Sequence, residues 1–127
     1  MNEGEIRIGN WVKHESVWSY RQKEGEIKEF YFQWSASDWY ALGECTLSLE
    51  SISPITLTED WLLNMGMPED RSTIDLFNWE LYFERRDGKL YLSTEQASPG
   101  RLIEYLHIAQ NIHNSFTNKE LTIKEVI

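Results

Sequence analysis

The fold class is decided by residues 74–92, which read Ile74-Asp75-Leu76-Phe77-Asn78-Trp79-Glu80-Leu81-Tyr82-Phe83-Glu84-Arg85-Arg86-Asp87-Gly88-Lys89-Leu90-Tyr91-Leu92. From Ile74 to Phe83 apolar and polar residues alternate, which is typical of a β-strand with one buried face. A turn follows, because Asp87-Gly88 accommodates positive φ, and Leu90 to Leu92 return as a second strand. This hairpin is the strongest β-structure prediction. The side chains predicted to share the apolar side of its first strand are Phe77, Trp79, Leu81 and Phe83.

A second hairpin is predicted nearer the start of the chain. The alternation from Ile6 to Val12 is interrupted at Gly9-Asn10, which indicates a bulge or tight bend. Strands at residues 17–22 and 27–34 then flank a turn centred on Gly25. Weaker strand patterns follow a break at residues 35–38. They cover residues 39–42 and, through Cys45, Leu47 and Leu49, residues 45–49.

Two helices are predicted. In residues 57–66, Thr58 can cap a short helix, the acidic residues 59–60 complement its positive end, and Gly66 supplies a left-handed stop. The second helix is predicted to follow Ser98-Pro99 and to run for about five turns. A terminal turn and a strand at residues 121–123 follow it. The apolar stripe of the second helix comprises Leu102, Tyr105, Leu106, Ala109, Ile112, His113 and Phe116.

These elements predict an α+β fold for residues 1–127 as a single domain. The stripe of the C-terminal amphipathic helix must pack on an apolar surface, and the aromatic sheet face is the sizeable candidate. The architecture is therefore a mostly antiparallel sheet of hairpins carrying one short and one longer helix. Whether the sheet curls into a small barrel is left open. A length of 127 residues suits one core.

Charge and composition exclude several functional classes. The 12 Lys and Arg against 21 Asp and Glu give a net charge of −9, which disfavours nonspecific nucleic-acid binding. Neither an apolar run of roughly 18 residues nor a basic amphipathic stretch occurs, so no membrane association is expected. The acidic residues 1–5 differ from a secretory signal, and the single Cys45 cannot form an internal disulfide. We expect a cytoplasmic protein.

No catalytic, cofactor or metal site is predicted. Cys45 and the three histidines, His14, His107 and His113, carry no local signature of nucleophilic catalysis. Glu104 and His107 have the spacing of a helical metal motif, but such a site needs a second helix of the same kind. The scattered glycines match no phosphate-binding loop. An enzyme is therefore the least favoured of three functional classes.

The aromatic content indicates a binding surface. Six Trp, six Tyr and five Phe exceed what a small domain easily buries, and Trp and Tyr commonly anchor protein interfaces. The alternatives are a second face covered by loops and a homodimer that hides the surplus rings. The candidate partner-binding residues lie in the least regular strands and are Trp11, Trp18, Tyr20, Tyr31, Trp39 and Tyr40.

A basic cluster at the second hairpin is the other candidate site. Arg85 and Arg86 lie beside Tyr82 and Tyr91, a set that could stack on and pair with a nucleotide base or a small phosphorylated ligand. This interpretation predicts a deep pocket near the hairpin. The alternative is an ordinary charged hairpin end, which prevents sheets from pairing edge to edge.

Three blocks of the sequence resemble a family of small hypothetical proteins from Bacteroidota phages and prophages. They are residues 6–12, residues 54–66, and residues 103–111 continuing through 117–122. Their order and spacing match over most of the chain. The family more often carries Gly at the position of Asn118 and an aromatic residue near His113. The resemblance implies a cytosolic accessory product of a mobile element, and it implies no catalytic residues.

The favoured function is a noncatalytic protein that presents aromatic and acidic surface to a protein partner, for example a host factor or defence component. The alternative is a small-ligand or nucleotide-binding protein, for example one that interferes with host defence signalling.

Overall fold

The computed structural model describes residues 6–14, 30–43 and 52–124. They belong to two compact units, one up to Ile55 and one from Thr56 onward. Each unit combines helix with antiparallel sheet, which confirms the α+β prediction, and neither described sheet closes into a barrel. The single-domain assignment stays a prediction. The strands predicted at residues 17–22 and 45–49, and the turn at Gly25, lie outside the described residues.

The first unit contains a three-stranded antiparallel sheet in the order β2-β1-β3. Its strands are β1 (Trp11–His14), β2 (Phe30–Gln33) and β3 (Ile52–Ser53). β1 lies in the centre, where Val12 is fully buried. The described part of the strand predicted at residues 27–34 is thus a strand paired with β1.

The bend predicted at Gly9-Asn10 is confirmed. Gly9 has a φ of 98°, and the backbone N–H of Asn10 donates to the carbonyl of Arg7 over 3.0 Å. A second hydrogen bond joins the same two residues, because the buried Asn10 side chain accepts from the Arg7 N–H over 2.7 Å. Because this turn occupies residues 7–10, the strand begins at Trp11 rather than at Ile6.

The strand predicted at residues 39–42 is wrong, because residues 36–43 form helix α1 (Ala36–Gly43). Asp38 accepts from the backbone N–H of Ser35 over 2.7 Å and from its hydroxyl over 2.9 Å. The N–H of Asp38 donates to the backbone carbonyl of Ser35 over 3.1 Å, so three hydrogen bonds join these two residues at the helix start. Burial raises the pKa of Asp38, although the Ser35 N–H acts in the opposite direction.

The second unit is built on a four-stranded antiparallel sheet. Its strands, β4 (Thr73–Phe77), β5 (Leu81–Arg86), β6 (Lys89–Thr94) and β7 (Ala97–Ile103), pair in chain order. The turn predicted at Asp87-Gly88 is confirmed, with φ values of 53° and 72°. The prediction of one strand from Ile74 to Phe83 is wrong: residues 78–80 turn the chain, and β4 pairs with β5.

Two helices lie in this unit. α2 (Glu59–Asn64) confirms the predicted short helix, since the hydroxyl of Thr58 accepts from the Trp61 N–H and Gly66 is left-handed at a φ of 89°. The N–H of Met67 then closes onto the carbonyl of Leu62 over 3.0 Å. Such a closure satisfies carbonyls that the helix end leaves free.

The second helix, α3 (Leu106–Thr117), begins later than predicted. Ser98-Pro99 belongs to β7, where residues 97–103 pair with β6, so the proline stands in an edge strand rather than in a first helical turn. The strand predicted at residues 121–123 is also wrong, because residues 121–124 join no sheet. Leu121 is nevertheless buried, and the N–H of Lys124 donates to the carbonyl of Asn64.

The core of the second unit lies between the sheet and its helices. The rings of Phe83 on β5 and His113 on α3 stack with centroids 6.5 Å apart, as expected for a helix packed on the sheet. The predicted apolar stripe is therefore partly confirmed, with Leu106 and Ala109 buried and Phe116 exposed. Buried apolar side chains from the sheet include Leu76, Phe83, Leu90 and Ile103.

A buried carboxylate ties three of the strands together. Glu84 on β5 is 4% exposed and accepts from Ser93 on β6 over 3.0 Å and from Ser98 on β7 over 2.7 Å. Arg86 adds a charged bond of 2.8 Å. The N–H of Gly100 donates in turn to the Ser93 hydroxyl over 3.0 Å. The two strand pairings β5–β6 and β6–β7 are thus joined by side chains as well as by the backbone.

The same contacts set the protonation state of Glu84. Burial acts to raise the pKa of this carboxyl, but the hydrogen bonds from Ser98, Arg86 and Ser93 and the charge of Arg86 together hold it below its usual value. A carboxyl with a lowered pKa stabilises the fold while it is ionised. That contribution is present above the unfolded value of 4.5 and is lost as pH falls through the folded pKa.

We therefore expect Glu84→Gln to lower the free energy of unfolding at pH 7 by about 1–3 kcal/mol. The substitution removes the negative charge, and it replaces one acceptor oxygen with an NH2 group that cannot accept from Ser93, Ser98 or Arg86. The difference between Glu84→Gln and wild type should shrink below pH 4.5. Urea denaturation at pH 7 and pH 3 measures it. The exposed Glu95→Gln is the matched control, with an expected change below about 0.5 kcal/mol. An equal gap at both pH values would contradict this account of Glu84.

Candidate functional site

The hairpin between β4 and β5 ends in a tight turn that we call the aromatic tip, formed by Phe77, Asn78, Trp79 and Glu80. The N–H of Glu80 donates to the carbonyl of Phe77 over 2.8 Å, and both central residues have positive φ, 48° at Asn78 and 61° at Trp79. The Asp75 carboxylate accepts from the N–H of Trp79 over 2.7 Å. Two hydrogen bonds therefore fix the backbone of the tip.

The tip presents its two large apolar side chains to solvent. Trp79 is 54% exposed and Phe77 is 52% exposed. The Trp79 ring lies beside Tyr82 on β5, with centroids 6.4 Å apart and planes tilted by 55°. A bulky residue is rarely found at positive φ, and such strain persists only where surrounding contacts impose it. The strained backbone thus displays Trp79 instead of burying it.

The charge around the aromatic tip is negative. Asp75 and Glu80 flank the exposed rings, and neither forms an ion pair within the described residues. An exposed indole beside unpaired carboxylates is chemically suited to an apolar pocket with a basic rim.

The sequence reasoning placed Phe77 and Trp79 on a buried strand face and so missed this site. Their period-two spacing continues through the turn and joins the two strands into one apparent strand. The available signal was Asn78, a residue that tolerates left-handed backbone, three positions after an Asp that can accept a backbone N–H. Asn-Trp is a much weaker turn signal than the Asp87-Gly88 of the next hairpin.

The predicted partner-binding residues do not form one exposed set. Tyr40 on α1 is 71% exposed. Trp39 is half-buried, with its ring edge-on to Trp34 at 5.3 Å. Trp11 and Tyr31 are half-buried on the same face of the first sheet, as the β1–β2 register requires. The other two predicted residues, Trp18 and Tyr20, lie outside the described residues.

The predicted basic cluster is divided by the pleat of the sheet. Glu84 pairs with Tyr91 and Arg85 with Leu90, so Tyr82, Arg86 and Tyr91 share the Glu84 face while Arg85 points to the opposite face. Arg85 donates to the carbonyl of Met67 over 2.7 Å and lies 3.8 Å from Asp70, with a side chain only 12% exposed. Three of the four residues therefore lie on one face of the sheet, and Arg85 instead holds the chain that follows α2.

Two clefts lie beside the junction of β7 and α3. The smaller, of about 250 Å³, touches the β5–β6 hairpin at Lys89 and Leu90. The larger, of about 420 Å³, is lined by residues of β6, β7 and α3. Both share residues 102–105, and none of Arg85, Arg86, Tyr82 and Tyr91 lines either of them.

The histidines and acidic residues form no metal-binding group within residues 6–14, 30–43 and 52–124. His113 on α3 instead contacts its own helix end, with Nδ1 lying 2.9 Å from the carbonyl oxygen of Lys119. His107 is buried beside the ring of Tyr105, with centroids 6.0 Å apart. In the same residues, no helix is long and apolar enough to cross a membrane.

The strain at Trp79 can be measured by two substitutions. Trp79→Gly and Trp79→Ala both remove the indole, but only glycine adopts positive φ without a Cβ penalty, so we expect the glycine variant to be more stable by about 1 kcal/mol. At Thr73, an exposed position in β4, the order should reverse. Thermal or urea denaturation of the four variants measures which of the glycine and alanine variants is more stable at each position. Greater stability of the alanine variant at both positions would contradict the strained tip.

Comparison of the chain with protein-family models, with curated proteins and with solved structures gave no match.

Proposed function

We propose that this chain is a noncatalytic accessory protein of the phage or prophage type that binds a protein partner through its aromatic tip. The observation that carries the proposal is the exposure of Phe77 and Trp79 on a turn whose backbone is fixed by two hydrogen bonds. Trp and Tyr are enriched among the residues that dominate the free energy of protein binding. A fixed turn also lowers the conformational entropy lost when those residues are bound.

The proposed partner presents an apolar pocket bordered by Lys or Arg. Asp75 and Glu80 flank the tip, and the whole chain carries a net charge of −9. Complementary charge at the border of an interface mainly raises the association rate and selects the correct partner, while the buried aromatic group contributes most of the affinity. Added salt should therefore slow association more than it speeds dissociation.

The resemblance to Bacteroidota phage and prophage proteins supports the cellular context of this proposal. It favours a cytoplasmic partner from the bacterial host, such as a host factor or a defence component. The alternative, a nucleotide or phosphorylated ligand held by Arg85 and Arg86, has less support because the side chain of Arg85 is bound to Met67 on the opposite face from Arg86.

The proposal is tested by affinity capture from a Bacteroidota lysate with three tagged baits: wild type, Trp79→Gly and Tyr40→Ala. Trp79→Gly removes the proposed anchor while matching the backbone of the turn, and Tyr40→Ala removes another exposed aromatic group, which belongs to the first unit. We expect wild type and Tyr40→Ala to retain the same protein at equal stoichiometry in moderate salt. Trp79→Gly should reduce its recovery by at least about tenfold, as for the loss of a central aromatic contact.

Mass spectrometry of the eluates for proteins and for released small molecules decides between the outcomes. A partner recovered equally by Trp79→Gly would show that binding does not use the aromatic tip. Eluates that contain a bound metabolite or nucleotide and no stoichiometric protein would overturn the protein-binding function itself.

A further inference from the structure

The larger cleft beside α3 is a second candidate site, separate from the aromatic tip. Its volume of about 420 Å³ lies within the range of about 300–1,000 Å³ that small-molecule sites occupy. Its walls come from the edge strand β7, from the neighbouring strand β6 and from one side of α3. A site of this kind is formed by rigid elements, which hold the lining residues in place.

The lining of the cleft is mostly aliphatic. Ile108 and Ile112 lie one turn apart on α3, beside the stripe of Leu106 and Ala109 that is buried against the sheet. Both isoleucines are only half-buried. Leu92 and Ile103 complete the aliphatic wall from the sheet side. The cleft is therefore lined by aliphatic side chains that the core covers only in part.

One positively charged side chain, that of Arg101, lies among the apolar residues that line the cleft. Arg101 pairs with Leu92 across β6 and β7, so it stands on the aliphatic side of the sheet, and it lines the cleft. Its side chain is exposed and takes part in no ion pair or hydrogen bond in the part of the chain that the structure describes. Glu104 also lines the cleft but lies three residues further along, about 10 Å in an extended strand, and forms no ion pair with Arg101.

We propose that this cleft binds a small carboxylate with an aliphatic body, with Arg101 pairing to the carboxylate and the isoleucines of α3 packing on the chain. A guanidinium binds a carboxylate through two parallel hydrogen bonds, which fixes the orientation of the carboxylate as well as attracting its charge. Charge complementarity selects an acid over a neutral or cationic chain of the same length. The size of the cleft limits the ligand to a small molecule.

Octanoate is the probe, and 1-octanol is the uncharged probe of equal chain length. We expect octanoate to bind the wild-type protein with a Kd below about 1 mM and to shift the amide NMR signals of residues in β7 and α3. Arg101→Gln should weaken octanoate binding by at least about tenfold, and octanol should bind wild type at least about tenfold more weakly than octanoate.

Two control variants, Lys119→Gln and Trp79→Gly, and the conservative variant Arg101→Lys separate binding at this site from general effects of charge or folding. Lys119→Gln removes one positive charge beyond the end of α3 and should leave octanoate affinity unchanged, whereas Arg101→Lys should retain part of it. Trp79→Gly should also bind octanoate like wild type, because the aromatic tip contributes no residue to the cleft. Circular dichroism of each variant checks that it is folded.

The proposal is overturned if octanoate fails to bind at concentrations up to about 10 mM. It is also overturned if Arg101→Gln binds octanoate as tightly as wild type does, or if octanol and octanoate bind equally. Either result would show that the cleft does not recognise the anion.

Discussion

The Glu84 carboxylate on β5 accepts hydrogen bonds from the neighbouring strand β6 and from β7, the strand beyond it. A buried carboxylate is tolerated only when its charge is balanced and its oxygens are satisfied, and the two serines and Arg86 together meet both conditions. Gly100 is part of the same arrangement, since a Cβ there would overlap the carbonyl of Leu92. The irregular pairing of β6 with β7 is therefore held in one register by polar contacts.

The sequence predicts the parts of the fold that depend on local backbone chemistry. Asp87-Gly88, Gly66 and Gly9 each occupy a position of positive φ, as their residue types indicate. The short helix after Thr58 is predicted for the same reason. Where the local signal has two meanings, the prediction fails. Ser98-Pro99 is common at helix starts and equally acceptable in an edge strand, and only the partners Ser93 and Glu84 decide between them.

The candidate site was less predictable than the fold. Period-two spacing identifies a strand. It cannot show that the chain turns back at Asn78 and Trp79 without interrupting that spacing, so Phe77 and Trp79, expected in the core, are exposed instead. Likewise, neighbours in sequence such as Arg85 and Arg86 lie on opposite faces once they are in a strand. Exposed rings occur among the described residues at Tyr40, Phe77, Trp79 and Phe116, and only Tyr40 belongs to the predicted set. The location of such rings depends on contacts between distant parts of the chain that a sequence does not contain.

The chain order of the four strands also determines how the second unit can be made. Each of the strands β5, β6 and β7 pairs with the one synthesised just before it, across connections of a few residues. Pairings between such close neighbours cost little loop-closure entropy and form rapidly. On the ribosome the sheet can therefore grow one strand at a time, with each unpaired edge covered by the next segment to emerge. The helix that closes the core comes last, so the nascent chain exposes its apolar sheet face only until α3 has been released.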